Sequence, residues 1–336
     1  MKKIKIAING FGRIGRAAFR IMDRRDDVEV VAINDLTDNK NLAYLLQYDS
    51  VFRKYEKKVD YNDECLIVNG EEIKVFAVPN PEELPWKELN VDIVLECTGR
   101  FVKNGAAYAH IKAGAKKVIL SAPAKGDSDV STHVIGVSEP NEESSDVISN
   151  ASCTTNCIAP VAKVLNDVFG VEKAMMTTIH SYTSTQKLQD GPGKDFRKSR
   201  AAAQNMIPTT TGAAIAATKV IPDLVGKFDG MAVRVPTIDV SLSDFTFILS
   251  REVTVEEVNN ALIEASEGEL SGILGVTNEE LVSSDFIEDS HSGIVDLSFT
   301  KVVGGDMVKV LVWYDNEWGY SNRLVDMAVK VAQDLV

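Results

Sequence analysis

The segment Ser152-Cys153-Thr154-Thr155-Asn156-Cys157 puts a thiol among hydroxyls at a point where the residue pattern changes. Before it, Asp146 to Ser149 reads as a short β-branched strand. After it, Ile158, Val161, Ala162 and Leu165 recur at i, i+3, i+4 and i+7, the spacing of one apolar helix face. Ser152 suits an N-cap, so Cys153 is expected in the first helical turn. Unpaired backbone N–H groups and the positive end of the helix dipole favour a thiolate there. Cys157, one turn later on the same face, reads as a packed residue. A nucleophilic thiol needs a base. Of His110, His133, His180 and His291, only His180 stands at the end of an expected strand, Glu172 to Ile179, with polar Ser181-Tyr182-Thr183 behind it. Cys and His act as nucleophile and base wherever the fold brings them together.

A second kind of chemistry lies near the start. Gly10-Phe11-Gly12-Arg13-Ile14-Gly15 follows the strand Ile4 to Asn9 and opens a helix with Ile14, Ala17, Ala18, Ile21 and Met22 on one face. The next strand, Val28 to Asn34, ends at Asp35, 20 residues after Gly15. This is the arrangement of a dinucleotide-binding βαβ unit. Gly10 serves the tight turn, Gly12 the approach of the pyrophosphate and Gly15 the packing of helix on strand, while Asp35 accepts the ribose hydroxyls. The helix start faces the phosphates. Two further stretches suit anions. Pro208-Thr209-Thr210-Thr211-Gly212-Ala213-Ala214 is a hydroxyl-and-glycine turn opening a small-residue helix. Arg234 sits in the alternating run Met231 to Pro236, and arginine grips phosphate in bidentate fashion.

The elements that must position these groups change rhythm midway. The first half alternates strand and helix. Tyr44 to Lys58 reads as a charged, aromatic connection, Cys65 to Val78 as a hairpin turning at Asn69-Gly70, Val91 to Glu96 as a buried strand, Phe101 to Ala113 as a helix and Lys117 to Leu120 as a strand ending at Ser121. In the second half, Val240 to Ser250, Gly293 to Phe299 and Met307 to Trp313 have few parallel crossovers between them and predict a mostly antiparallel sheet. Thr254 and Glu257 form a capping box for a helix from Val255. Ser184 to Asn205 is a long irregular segment, of a length that is usually functional. The fold class is α/β, in two domains, as 336 residues exceed one ordinary core. Composition is globular, with 45% hydrophobic and 25% charged residues. A net charge of −13 argues against a nucleic-acid or anionic-membrane partner. Four cysteines without CxxC spacing give neither a disulfide framework nor a zinc site. The opening Met1-Lys2-Lys3-Ile4-Lys5-Ile6 lacks the apolar core of a secretory signal. A reducing cytoplasm is expected.

The Ser152–Cys157 motif resembles the active-site motif of the phosphorylating glyceraldehyde-3-phosphate dehydrogenases, and matching stretches run from about Lys3 to about Met327. The resemblance implies a Rossmann-type NAD-binding domain over 1–152, completed by a C-terminal helix at 317–336. It implies an α+β catalytic domain over 153–316, whose S-loop, 181–206, packs against neighbouring subunits of a homotetramer. Cys153 would be the nucleophile and His180 its base. Arg13, Ile14, Asp35 and Ser121 would line the NAD site beside Gly10, Gly12 and Gly15, with Asn316 on the nicotinamide carboxamide. Thr183 and Arg234 would hold the C3 phosphate of D-glyceraldehyde 3-phosphate. Ser152, Thr154, Thr211 and Gly212 would hold the attacking inorganic phosphate, and no metal is implied. The implied reaction passes through a cysteine hemithioacetal and thioester to 1,3-bisphosphoglycerate. Asp35, Leu36 and Gly191-Pro192 resemble the NAD rather than the NADP type. The chain departs from many relatives at Pro79, often arginine, at Lys198, and in an S-loop one residue shorter. The rival readings are an erythrose-4-phosphate or semialdehyde dehydrogenase and a non-enzymatic binding role. The erythrose-phosphate enzymes depart from Thr-Thr-Gly at 210–212, which this chain keeps.

Overall fold

The computed structural model describes residues 3–141 and 143–333, so the first two residues and the last three of the expected C-terminal helix, 334–336, lie outside the described residues. The chain divides into two compact units, one of Met1–His133, Glu139–Ser152 and Ser321–Val336, the other of Val134–Ser138 and Cys153–Tyr320.

In the first unit the order is β1 (Ile4–Asn9), α1 (Arg13–Met22), β2 (Val28–Asn34), α2 (Asn39–Gln47), β3 (Tyr48–Asp49), β4 (Arg53–Lys54), β5 (Val59–Tyr61), β6 (Cys65–Val68), β7 (Glu71–Phe76), β8 (Ile93–Glu96), α3 (Tyr108–Lys112), β9 (Lys117–Leu120), β10 (Ser131–Thr132) and β11 (Val147–Ser149). Nine of these strands form one sheet in the order β10-β11-β9-β8-β1-β2-β7-β6-β5. It is parallel from β10 to β7 and antiparallel only in the β7-β6-β5 hairpins. The strand order reverses beside β1, the switch point at whose carboxyl end ligands bind in such sheets. Asn69 and Gly70 both take positive φ at the hairpin turn, as a type I′ turn requires.

Two stretches differ from expectation. Tyr44 to Lys58 is not a plain connection. It holds the end of α2 and the β3–β4 ribbon. Asp38 caps α2 by accepting from Asn41 N at 3.0 Å, and Leu42, Ala43 and Leu46 turn inward, while exposed Tyr44 and Tyr48 obscure that stripe in the sequence. In Phe101 to Ala113 only α3 is helical, because Asn104 and Gly105 take φ of 50° and 69° and break the pattern. Beneath the sheet's carboxyl edge, Trp86 Nε1 donates to His110 Nδ1 at 2.9 Å. The ring proton is therefore on Nε2, which faces Glu96 Oε2 at 3.1 Å. Asn9 donates to Glu96 and accepts from Asn34 at 2.7 Å. This network ties together the tips of β1, β2 and β8, where the glycine turn starts.

The second unit runs α4 (Cys153–Phe169), β12 (Val171–Ser181), β13 (Ile207–Thr210), α5 (Ala213–Val220), β14 (Phe228–Val235), β15 (Ser241–Leu249), α6 (Val255–Glu267), β16 (Leu274–Thr277), β17 (Gly293–Val303), β18 (Met307–Tyr314) and the start of α7 (Trp318–Gln333). Its sheet has the order β13-β14-β12-β15-β18-β17-β16. The β12–β14 and β16–β17 pairs are parallel and the rest antiparallel. Alternation sets the buried face: Val308, Val310, Val312 and Tyr314 of β18 are inward, as are Phe245 and Phe247 of β15. The Thr254–Glu257 capping box is present at α6. The expected turn at Pro208–Ala214 is shorter than its composition suggests. Residues through Thr210 pair with β14, and only Thr211-Gly212 turn the chain into α5.

Between β14 and β15, Asp239 is buried against the carboxyl group of Asp315. Neighbouring Asp315 is buried too, but it accepts the backbone N–H groups of Glu288 at 2.9 Å, Glu317 at 2.9 Å and Trp318 at 2.6 Å. Burial, then the charges of Asp315 and Glu317, push Asp239 up to about 9, so Asp239 keeps its proton at neutral pH. The unfolded chain releases that proton near pH 4. The folded state thus binds more protons between those values, and Asp239 costs stability increasingly as pH rises through them. Asp239→Asn mimics the protonated acid. Its melting temperature should exceed the wild type's at pH 8, with the margin shrinking towards pH 4. A margin that does not change with pH would exclude this account.

Candidate active site

Local backbone first sets the thiol. Ser149 Oγ donates to the Ala122 carbonyl at 2.9 Å and accepts from Ala151 N at 3.1 Å. Ala151 takes φ +54°, a left-handed conformation unusual for alanine, and it turns the chain from β11 into α4. Cys153 is the first residue of α4 and half-buried, with Ser152 half-buried before it. The tertiary fold brings the last turns of β12 against it, and Cys153 Sγ lies 3.6 Å from His180 Nε2. Cys157 is fully buried, with Sγ 3.9 Å from Ser243 Oγ, and burial drives its thiol far above the ordinary range.

His180 lies at the end of β12, as expected, level with Arg234 on the parallel neighbour β14. Tyr314 meets the imidazole edge-on at 6.0 Å between ring centres. Its hydroxyl lies 3.0 Å from Thr154 Oγ1 and 2.8 Å from Thr178 Oγ1. Arg234 Nη1 stands 2.9 Å from His180 Nδ1 and 2.9 Å from the Ser181 carbonyl oxygen, while Nδ1 is itself 2.8 Å from that oxygen. A guanidinium only donates. With Arg234 so placed, Nδ1 accepts from it and the ring proton faces the sulfur from Nε2. When Arg234 withdraws, Nδ1–H can donate to the Ser181 carbonyl and leave Nε2 bare, the form a general base requires.

The electrostatics correct one expectation. Burial pushes the Cys153 thiol up, against the pull of the Arg234 guanidinium and of the Thr154 hydroxyl and amide. Burial, reinforced by Arg234, pushes the His180 imidazole down to about 3. In the chain without its ligands, burial thus opposes both the thiolate favoured by the helix start and an imidazolium beside it. Loss of hydration here outweighs the helix dipole.

The other expected site residues fall into several settings. Asn316 joins the cluster: Ser181 and Ser241 hydroxyls donate to its Oδ1 at 2.9 and 2.6 Å. Thr154 packs inward onto Tyr314 and faces the Cys153 sulfur at 3.9 Å. Thr183 and Thr211 are engaged locally, Thr183 Oγ1 with Thr185 Oγ1 at 2.9 Å and Thr211 Oγ1 with Ala213 N at 3.2 Å. A side chain added at Gly212 would meet only open space. Lys198 lies 3.7 Å from Asp195, three residues before it. Tyr314, Ser181, Ser241 and Asp239 were not singled out from the sequence. Tyr314 had a signal, since it is the last inward position of an alternating strand and a buried tyrosine hydroxyl needs partners. The serines had none, because their partners come from other strands.

In the first unit, Gly10 takes φ +94°, and a Cβ there would lie 2.8 Å from Thr98. A Cβ on Gly15 would strike the Gly10 carbonyl, whereas one on Gly12 would point into open space. Asp35 Oδ2 accepts Phe11 N at 2.7 Å and Oδ1 accepts Thr37 N at 2.9 Å, which fixes the carboxylate beside the glycine turn. Arg13 pairs with Asp49 and lies over the Phe52 ring at 5.2 Å. Ile14 is half-buried on α1, and Ser121, at the end of β9, donates its N–H to the Glu96 carbonyl at 3.0 Å. Among the described residues no group of three or more His, Cys, Asp or Glu is arranged for a metal, and no helix is long and apolar enough to cross a membrane.

Comparison with known proteins agrees with this division of labour. Residues 4–104 match the family model described as glyceraldehyde 3-phosphate dehydrogenase, NAD binding domain, and residues 152–316 match its C-terminal domain. The chain is 55% identical to glyceraldehyde-3-phosphate dehydrogenase of Priestia megaterium over 98% of both chains, and 55% identical to that of Geobacillus stearothermophilus over 98% of both. It is 57% identical to that of Thermotoga maritima over 96% of this chain and 97% of the other. With such identity sustained over nearly its full length, the chain belongs to the glyceraldehyde-3-phosphate dehydrogenase family.

Proposed function

We propose that the protein is an NAD-dependent, phosphorylating dehydrogenase that converts D-glyceraldehyde 3-phosphate and inorganic phosphate to 1,3-bisphosphoglycerate in glycolysis. The observation that carries this reading is Cys153 Sγ at 3.6 Å from His180 Nε2, with Arg234 against the same imidazole. The NAD-binding domain is assigned to 1–152 with the C-terminal helix, and the catalytic domain to 153–316. Open space before Gly12 and the amide-held Asp35 carboxylate suit a pyrophosphate and a ribose diol.

Substrate binding and acid–base chemistry are linked through Arg234. A phosphate held by Thr183 and Arg234 draws the guanidinium from His180 Nδ1, which then donates to the Ser181 carbonyl and bares Nε2. Nε2 takes the thiol proton as sulfur adds to the aldehyde carbon, hands it to the oxygen of the hemithioacetal, and takes it back as that carbon is oxidised. NAD, when bound, supplies the hydride acceptor for that oxidation. Inorganic phosphate, held by Ser152, Thr154, Thr211 and Gly212, then attacks the thioester, and the Cys153 sulfur leaves as the acyl phosphate forms. The thioester keeps the oxidation energy that direct hydration would lose.

The S-loop supports a homotetramer. Leu188 is 83% and Phe196 87% exposed in the single chain, large apolar surfaces of the kind subunit contacts cover.

Iodoacetamide at neutral pH should alkylate Cys153 and spare Cys157. Cys153→Ser should abolish turnover and Cys157→Ser retain most of it, while His180→Asn should slow turnover roughly 10²–10⁴-fold. Equal labelling of the two cysteines would refute the assignment. Steady NADH production should require phosphate, with arsenate as a substitute. Thr211→Ala should raise KM for phosphate more than for the aldehyde, and Arg234→Leu should act mainly through the triose phosphate. Sustained turnover without either oxyanion, or erythrose 4-phosphate as the better substrate by kcat/KM, would overturn the substrate assignment. Light scattering should give a tetramer, and Leu188→Asp with Phe196→Ser should shift it to smaller species. A wild-type monomer would sink the S-loop assignment.

A further inference from the structure

Ser181 is the junction of three functional groups in the second unit. Its carbonyl oxygen accepts from Arg234, whose Nη1 also donates to His180 Nδ1. Its N–H donates to Ser241 Oγ at 3.1 Å, and its hydroxyl donates to Asn316 Oδ1 at 2.9 Å. Ser241, having accepted that N–H, sends its own proton to the same Asn316 oxygen at 2.6 Å. Ser181, Ser241 and Asn316 are 0%, 1% and 5% exposed, so water cannot readily replace these bonds. Two hydroxyl protons occupy both lone pairs of Oδ1. Turning the amide over would strand both protons. The Asn316 NH2 is the edge left to meet a ligand.

We propose that Ser181 and Ser241 are positioning residues that lock the Asn316 amide with its NH2 outward, so that the site reads the carbonyl oxygen of the cofactor's pyridine-3-carboxamide and thereby fixes which ring face is turned to the substrate. This rests on the reading that Asn316 meets that carboxamide. A half-turn of the ring about its bond to ribose presents the opposite face and carries the carboxamide to the other side. A single donor of fixed polarity is enough to distinguish the two. Because Ser→Ala keeps the backbone, the Ser181 carbonyl still meets Arg234 and His180, and the effect is directed to the cofactor.

The test compares wild type, Ser181→Ala, Ser241→Ala, the double variant and Asn316→Ala, with NAD and with its 3-acetylpyridine analogue, which keeps the carbonyl oxygen and lacks the amide hydrogens. The wild type should use the analogue with a KM within about threefold of that for NAD, since no hydrogen bond is lost. A loss above about tenfold, the size of a forfeited hydrogen bond, would overturn the amide orientation without recourse to any variant. The double variant should raise KM for NAD about five- to tenfold but leave KM for the triose phosphate and the alkylation rate of Cys153 unchanged. With C1-deuterated aldehyde it should place deuterium on both faces of C4 of the reduced ring, where the wild type labels one. A purely structural role would lower all parameters together and keep the label on one face. If Asn316→Ala raises KM for NAD while the double variant keeps both KM and stereochemistry, the positioning inference fails. If Asn316→Ala leaves NAD untouched, the underlying reading of Asn316 fails instead. Should the double variant fold poorly, each single variant should raise KM for NAD and show partial loss of facial selectivity, and its absence in both would count against the proposal.

Discussion

The approach of Cys153 Sγ to His180 Nε2 is the constraint on which the second unit depends. Two unrelated features must agree for it to exist. The corner at Ala151 has to deliver the thiol at the very start of α4, and β12 has to run the full eleven residues to Ser181 so that its last inward position carries an imidazole. Tyr314 completes the arrangement. Its ring meets the imidazole edge-on, and its hydroxyl lies between Thr154 on α4 and Thr178 on β12. The helix and two strands that carry the chemistry are thus bound to one another through a buried phenol rather than through the catalytic groups themselves.

Burial gives this pair its character. In water a thiol near a histidine and a helix start would readily ionise. Here desolvation raises the thiol and lowers the imidazole, so burial opposes charge on both partners. Arg234 acts in opposite senses on the two partners, favouring a thiolate and disfavouring an imidazolium. A negative charge brought to Arg234 would relieve its effect on the imidazole, which is how an anionic substrate and a buried site become compatible. The buried Asp239 shows the same balance in a carboxyl group: burial and the neighbouring acids favour its protonated form.

The first unit solves a different problem, that of bringing backbone close to a ligand without leaving polar groups unmatched. Gly10 and Gly15 are required by what a side chain would strike, and Gly12 by what it would otherwise fill. Beneath them the Trp86–His110–Glu96–Asn9–Asn34 network fixes the strand tips. Asp35 is held by Phe11 and Thr37 N–H groups, so its position is set by the turn it serves.

The chain's local order was written in its sequence. The bounds of β1 and β2, the glycine turn, the hairpin at Asn69-Gly70, the capping box at Thr254 and the helix after Cys153 follow from periodicity and turn chemistry, which act between residues a few positions apart. The motif around Cys153 also carried the family. Where local signals conflicted, they failed: α2 was hidden by its exposed tyrosines, and the helix expected from Phe101 shrank to α3 because Asn104 and Gly105 turn the backbone. Tertiary structure alone decided the rest. That His180, Arg234 and Tyr314 share one cluster, that two serines hold Asn316, and that burial works against ionisation of the thiol all depend on strand register and burial between segments far apart in the chain. Charge and hydrogen-bonding capacity are properties of a residue, but desolvation and partners belong to the fold.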